Sequence, residues 1–219
     1  MSISRPKSLK DLALEHLRNS IIDGTLEMGQ VLSERGISED LGISKSPVRE
    51  ALAQLRDEGL VVIEPQKRVQ VFTLSAEEVV QICDFRLAIE CCAFELALER
   101  NPEELAEEMK VVIKEMIQAL EKREMKTYLQ LDTRFHQLSF KFAGNSYLSA
   151  SYDRYVGKIT ALRTHLSALP QHTELSFSEH DSMTEAVQKK DMKTIKRSLE
   201  EHMNRTKQAY LNLTQNETV

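Results

Sequence analysis

Leu41-Gly42-Ile43-Ser44-Lys45-Ser46-Pro47-Val48-Arg49-Glu50-Ala51-Leu52 is the stretch on which the reading of the fold turns. Gly42-Ile43-Ser44 is a tight break between two helical patterns. A helix then runs from Lys45 to about Glu58, and Gly59 stops it. Pro47 is compatible with that helix, because the N–H groups of a first turn have no intrahelical partner. Before the break, Ser33 is a suitable N-cap for a helix ending near Leu41, and Gln30-Val31-Leu32 leads into it as a short extended piece. Further upstream, Leu9, Leu12, Ala13, Leu17 and Ile21 recur at helical spacing over residues 8–23, with Gly24 as the stop. Downstream, the β-branched runs Leu60–Glu64 and Val69–Thr73 bracket Pro65-Gln66-Lys67-Arg68 and predict a two-stranded hairpin.

Helix, short turn, helix and hairpin is the winged helix-turn-helix plan, in which the N-terminal end of one helix enters the major groove of DNA. The side chains suit that use. Lys45 and Arg49 lie one turn apart on a shared face, Ser44 and Ser46 add short donors beside them, and Glu50 and Glu58 are expected to point elsewhere. Arg35 is placed to reach the flanking backbone. Lys67 and Arg68 sit at the hairpin tip, and Arg5, Lys7 and Lys10 form a basic N-terminal arm. Bulk charge gives no support: residues 1–74 carry 10 Lys+Arg against 11 Asp+Glu, and the whole chain has a net charge of −5. The DNA reading therefore rests on where the basic residues sit, against a plain alternative in which they are solvated surface charge.

From Ser75 onward the strand pattern disappears, and six long helical segments follow over 76–100, 102–123, 125–143, 146–167, 174–189 and 191–214. In the first, Val80, Cys83, Leu87, Cys91, Phe94 and Leu98 form an apolar stripe at 3,4 spacing. The expected architecture is mainly α: a winged helix-turn-helix domain over residues 1–74, and an all-helical antiparallel bundle over residues 75–219. Three cysteines, Cys83, Cys91 and Cys92, are too few and too clustered for a disulfide framework; Cys83 and Cys91 read as small core residues. No apolar run approaches the roughly 18 residues of a membrane span, and the N-terminus lacks a signal-peptide core. A cytoplasmic protein with no membrane partner is expected.

The second domain carries ionisable side chains on apolar stripes. Asp132 and His136 are i and i+4 on one helix, on the face that also bears Met125, Leu129, Phe140 and Ala143. His180 falls in line with Met183 and Val187, and His202 with Ile195, Leu199 and Thr206. Singly, each reads as a surface pair or a satisfied core histidine. Together, three nitrogens and one oxygen suit zinc, nickel, manganese or iron. His16, His165 and His172 show no such partners and read as structural or surface residues, and Arg134 points away from Asp132.

The run from Gly24-Thr25-Leu26-Glu27-Met28-Gly29 through Leu32-Ser33-Glu34-Arg35 and Ser44–Leu52 to Glu58-Gly59-Leu60-Val61 resembles the GntR family of transcription regulators. That resemblance implies that Arg35, Lys45 and Arg49 contact the operator. Members carry a wing glycine after a basic residue, and that position here is Arg68. Arg86-x-x-x-Glu90, Leu131-Asp132-x-x-Phe135-His136, Gly144-Asn145, Glu179-His180 and His202 resemble the FCD effector domain of one GntR branch, in its shorter, VanR-like six-helix form. The resemblance implies a metal held by Asp132, His136, His180 and His202, with zinc the first choice. It also implies a homodimer on a pseudo-palindromic double-stranded DNA operator, acting as a repressor, and a small-molecule effector such as an organic acid. Arg86 and Arg163 are the arginines chosen to anchor the effector's carboxylate. The chain is expected not to be an enzyme. The rival readings are a metal-dependent enzyme with an accessory winged-helix domain and a metal-free sensor, and no His-Glu-x-x-His, nucleophile elbow or phosphate loop supports the enzyme.

Overall fold

The computed structural model describes residues 6–64 and 68–216. Arg5 and Lys67 lie outside the described residues. Helix α1 (Leu9–Ile22) is started by Ser8, whose hydroxyl accepts from the Asp11 N–H while the Asp11 carboxylate accepts from the Ser8 N–H. Strand β1 (Val31–Leu32) precedes α2 (Glu34–Leu41), which Ser33 caps through the Gly36 N–H. Gly42 ends α2 in the left-handed region at φ 63°. That conformation is cheap for glycine, and it turns the chain directly into α3 (Lys45–Asp57).

Strands β2 (Val61–Glu64) and β3 (Arg68–Val71) form the expected hairpin, with Glu64 opposite Arg68 and Val61 opposite Val71. The extended piece at Val31–Leu32 pairs antiparallel with β3 as well, giving a three-stranded sheet in the order β1-β3-β2. Val69 and Val71 point into the core and Arg68 does not, as the two-residue period of a half-buried strand requires. The core of this unit gathers Leu14, Leu17 and Ile21 of α1 with Val48, Leu52 and Leu55 of α3. Leu9 and Leu12, expected inside, are 55% and 48% exposed; Leu14 joins the expected Ala13, Leu17 and Ile21 on the inward face.

Six helices make up the rest: α4 (Ala76–Arg100), α5 (Pro102–Glu121), α6 (Met125–Ala143), α7 (Ser146–Leu166), α8 (Pro170–Gln188) and α9 (Met192–Asn216). Their starts are locally encoded. Ser75 and Glu78 form a capping box, Pro102 and Pro170 occupy first turns, and Asn145 accepts from the Tyr147 and Leu148 N–H groups. Helix α8 begins at Pro170, ahead of the expected residue 174, because a proline can open a helix as readily as break one. At the far end of α6, Gly144 is left-handed, and the last carbonyls are taken by Arg100 (2.5 Å to Ala143 O) and Asn101 (2.8 Å to Phe142 O).

Helix α4 packs on α9 and α6, α5 on α6 and α8, and α8 on α9. By contacts the chain separates into two compact units, Met1–Thr73 with Arg154–Ala161, and Leu74–Asp153 with Leu162–Val219. Among the described residues no helix is long and apolar enough to cross a membrane.

One expected stripe is displaced. Cys83 and Phe94 are buried as expected, but Val80, Leu87, Cys91 and Leu98 of α4 are only half-buried, and the buried face runs through Val79, Cys83, Arg86, Glu90, Ala93, Phe94 and Ala97. Hydrophobicity alone sets the stripe off-centre because the inward face of this helix carries an ion pair.

Candidate functional site

At the helix-turn-helix, Arg35, Ser44, Lys45, Ser46, Arg49 and Arg68 are all exposed. Ser44 is the N-cap of α3 without using its hydroxyl as a cap, so that donor is free of the helix. Val48, Ala51, Leu52 and Leu55 fasten the opposite face of α3 to the core, which presents Lys45 and Arg49 outward. Both arginines have carboxylate neighbours: Arg49 Nε lies 2.6 Å from Glu34, and Arg35 Nε lies 2.7 Å from Glu39. Glu58 does point elsewhere, onto Arg18 at 2.5 Å. Glu50 does not; it stays on the exposed side of α3, 3.3 Å from the Ser46 hydroxyl.

Inside the bundle, His136 of α6, His180 of α8 and His202 of α9 converge, with one nitrogen from each inside a single group whose members all lie within 4.8 Å of one another. Their exposures are 0%, 0% and 3%. His136 Nε2 and His180 Nε2 are 3.1 Å apart, close to the ~3.3 Å edge of a tetrahedron with metal–nitrogen bonds of ~2.0–2.1 Å. Asp132 stands at the side of this cluster. Its Oδ1 is 3.7 Å from His180 Nε2, and its Oδ2 is 2.9 Å from Arg163 Nε of α7. The four residues chosen from the sequence are thus neighbours, with the histidines at the centre and Asp132 shared with an arginine. The donor set is imidazole nitrogen with one carboxylate oxygen, and it fits a divalent transition metal.

The electrostatics agree with neutral imidazoles. Burial pushes the His136 and His202 pKa well down, helped by Arg163 and Arg86 at His136 and by the neighbouring imidazoles at His202. Burial also brings His180 down to about 4, against the opposing pull of Asp132. Desolvation works to raise Asp132, but the Arg163 guanidinium 2.9 Å away is the largest opposing charge, and the carboxyl is held well below its ordinary range. Neutral nitrogens and an ionised oxygen are the protonation states that bind metal.

Reading the sequence alone missed the groups behind these ligands. His136 Nδ1 is 2.7 Å from Glu90, and Glu90 is 2.8 Å from Arg86; all three are buried. His202 Nδ1 is 2.7 Å from Glu179, which Arg205 grips at 2.6 and 2.9 Å. Arg205 in turn reaches His172 Nδ1 at 2.7 Å. His172, taken as a plain surface or structural residue, belongs to this chain of contacts, and burial next to Arg205 lowers it to about 4. The available signals were the i,i+4 spacing of Arg86 and Glu90 on a mostly apolar helix and the adjacent Glu179-His180.

Arg86 reaches His136 Nε2 at 3.4 Å but is committed to Glu90. Arg163 is differently placed. Among the described residues its Nε and Nη2 make no well-formed hydrogen bond, and neither do Asp132 Oδ2 or His180 Nδ1. The Tyr152 hydroxyl lies beside the Arg163 guanidinium. Arg134 points outward onto Glu108 and Glu115. Cys83 is buried, Cys91 is half-buried and Cys92 exposed, so only the first is a core residue.

Comparison with known proteins adds the following. A family model of the FCD domain matches residues 81–205, and one described as bacterial regulatory proteins, gntR family, matches residues 9–71. The chain is 25% identical over 187 residues to the HTH-type transcriptional repressor RspR of Escherichia coli K12, covering 85% of this chain and 82% of that protein. It is also 25% identical over 191 residues to the gluconate operon transcriptional repressor of Bacillus licheniformis, covering 85% and 78%. Among solved structures, E. coli McbR/YncC superposes with a TM-score of 0.78 at 21% identity over 97% of this chain and 100% of that one, a likeness of fold.

Proposed function

This chain belongs to the gntR family of bacterial regulatory proteins and carries the family's FCD domain, and from that premise we propose that it is a cytoplasmic, metal-dependent, effector-controlled repressor. It acts as a homodimer on a pseudo-palindromic operator. Lys45, Arg49, Ser44 and Ser46 enter the major groove, Arg35 contacts the flanking backbone, and Arg68 with Lys67 supplies the wing contact. His136, His180, His202 and Asp132 hold one divalent metal ion, zinc before nickel, manganese or iron. The observation that carries the metal half is the convergence of three solvent-excluded imidazoles from three helices beside Asp132.

A small organic acid is the effector this interior suits. Arg163 and Tyr152 present polar atoms without well-formed hydrogen bonds, and leaving such atoms buried is costly. A carboxylate seated against them satisfies both and adds a charge-assisted pair. Arg163 is therefore the anchor, and Arg86 serves the interior from behind Glu90. Effector and operator are then linked thermodynamically: whichever arrangement of the two DNA-binding units the ligand favours sets the operator affinity.

Two measurements test the proposal. Metal analysis of natively purified protein is expected to give about one divalent ion per chain, lost in His180→Ala; no metal in the wild type defeats the site. Gel shifts with Arg49→Ala are expected to show weaker binding and a salt slope shallower by about 1; an unchanged slope defeats the recognition-helix assignment.

A further inference from the structure

Each imidazole of the cluster has a far nitrogen, and the three far nitrogens are not treated alike. His136 directs Nδ1 at the buried Glu90 and His202 directs Nδ1 at the part-buried Glu179, and each carboxylate is held by an arginine. His180 Nδ1 has no hydrogen-bond partner among the described residues. The two relays are built from different helices: Arg86 and Glu90 come from α4, while Glu179 comes from α8 and Arg205 from α9. The same order, arginine to glutamate to Nδ1, thus arises twice around one centre.

We infer that Glu90 and Glu179, each gripped by an arginine, are positioning residues that fix His136 and His202 with the proton on Nδ1 and the lone pair of Nε2 facing the metal. The inference rests on the metal reading above. The reason is donor–acceptor arithmetic. A carboxylate oxygen 2.7 Å from a ring nitrogen serves as its acceptor, and although Arg205 Nη2 also stands 3.1 Å from His202 Nδ1, the shorter contact is the one to Glu179, which places the proton on the facing nitrogen in both rings. The opposite nitrogen is then bare, in the tautomer a metal requires, and the hydrogen bond raises its basicity. A merely structural role is a weak account of the two pairs, since buried ion pairs seldom stabilise more than apolar replacements of similar volume.

The asymmetry has a consequence. His180 is held mainly by the face of Phe135, at a ring separation of 4.4 Å, and not by a fixed acceptor. It is the ligand free to choose its tautomer and to adjust to the ion. The two relays also differ in access. Glu90 and Arg86 are sealed in the core, at 0% and 1% exposure. Arg205 and His172 line a cavity of about 490 Å³ bounded by Leu169, Leu175 and Ala209, so changes at Glu179 are the more easily tolerated.

The test uses the full chain, stripped of metal and titrated with Zn²⁺ against a chromophoric chelator. Glu179→Gln keeps an acceptor but loses the charge, and an affinity about 10-fold below wild type is expected; Glu179→Ala is expected to fall by up to about 100-fold. Glu185→Gln, on the exposed side of α8, serves as the unchanged control. Glu90→Gln follows the same order, and if its sealed site does not fold, the Glu179 series carries the result. Imidazole ¹⁵N shifts of the metal-free wild type are expected to show Nδ1–H on His136 and His202, and His202 is expected to lose that preference in Glu179→Ala. Tight wild-type binding that is equal within twofold in the folded Glu179 variants overturns the inference alone. A wild type that binds no Zn²⁺ overturns the metal reading and the inference with it.

Discussion

Replacing Arg163 by Met removes the cation from a pair whose members are 7% and 3% exposed and 2.9 Å apart, while keeping most of the side-chain volume. Breaking a buried pair from one side costs about 3–5 kcal/mol, because the remaining charge is stranded. Coulomb's law agrees: unit charges about 4 Å apart attract by about 4 kcal/mol at an effective dielectric of 20. The loss also has a ceiling. Asp132 can always take up a proton, which from its ordinary value of 3.8 costs about 4 kcal/mol at pH 7. The expected loss in metal-free protein is therefore about 3–4 kcal/mol at pH 7. The sign with pH follows from linkage. In the wild type the depressed Asp132 carboxyl contributes stability that is present above about pH 4 and lost as pH falls below it. In the variant, burial no longer opposed by Arg163 raises that group, so the penalty shrinks steadily from pH 7 toward pH 4. Native-state hydrogen exchange of α6 and α7 amides reads the effect in the domain concerned. Added Zn²⁺ should recover part of the loss, since it restores a cation beside Asp132. A loss under 1 kcal/mol at pH 7, or one that does not shrink toward pH 4, refutes the argument.

Three further outcomes are expected. Glu34→Gln frees Arg49 from its 2.6 Å partner; since an exposed pair contributes about 0.2–1 kcal/mol, operator affinity in gel shifts should rise up to about fivefold, and a fall would show that Glu34 itself helps position the helix. In protein kept in excess chelator, His180, lowered by burial to about 4, adds stability that is full above about pH 6.5 and lost as pH falls toward 4; the span is about 3 kcal/mol, and His180→Gln should flatten that part of a pH series of thermal melts. Leu52→Ala removes a side chain 1% exposed at the α1–α3 contact, so chemical denaturation followed in the N-terminal unit should show a loss of about 2–5 kcal/mol, with the bundle's exchange rates unchanged.

Much of this protein was legible as sequence because the signals were local. Ser8, Ser33 and Ser75 declare helix starts through their own hydroxyls, and Gly42 and Gly144 declare ends through the left-handed conformation they tolerate. The i,i+4 relation of Asp132 and His136 needs no tertiary knowledge, and neither does the alignment of His180 and His202 with apolar neighbours on their helices. That Lys45 and Arg49 face away from Val48 and Leu52 follows from helical period alone.

What only the tertiary structure decided is everything that depends on two helices meeting. The rotation of α4 is the clearest case: its buried face carries Arg86 and Glu90, which hydropathy assigns to solvent, because their burial depends on His136 coming from α6 to meet them. Likewise β1 became a strand only when β3 offered it a partner. The helix-turn-helix was therefore determined within the consecutive residues from Ser33 to Glu58. The metal-type centre was not, since the groups that orient its ligands lie 46 and 23 residues from the histidines they hold, a separation that only folding closes.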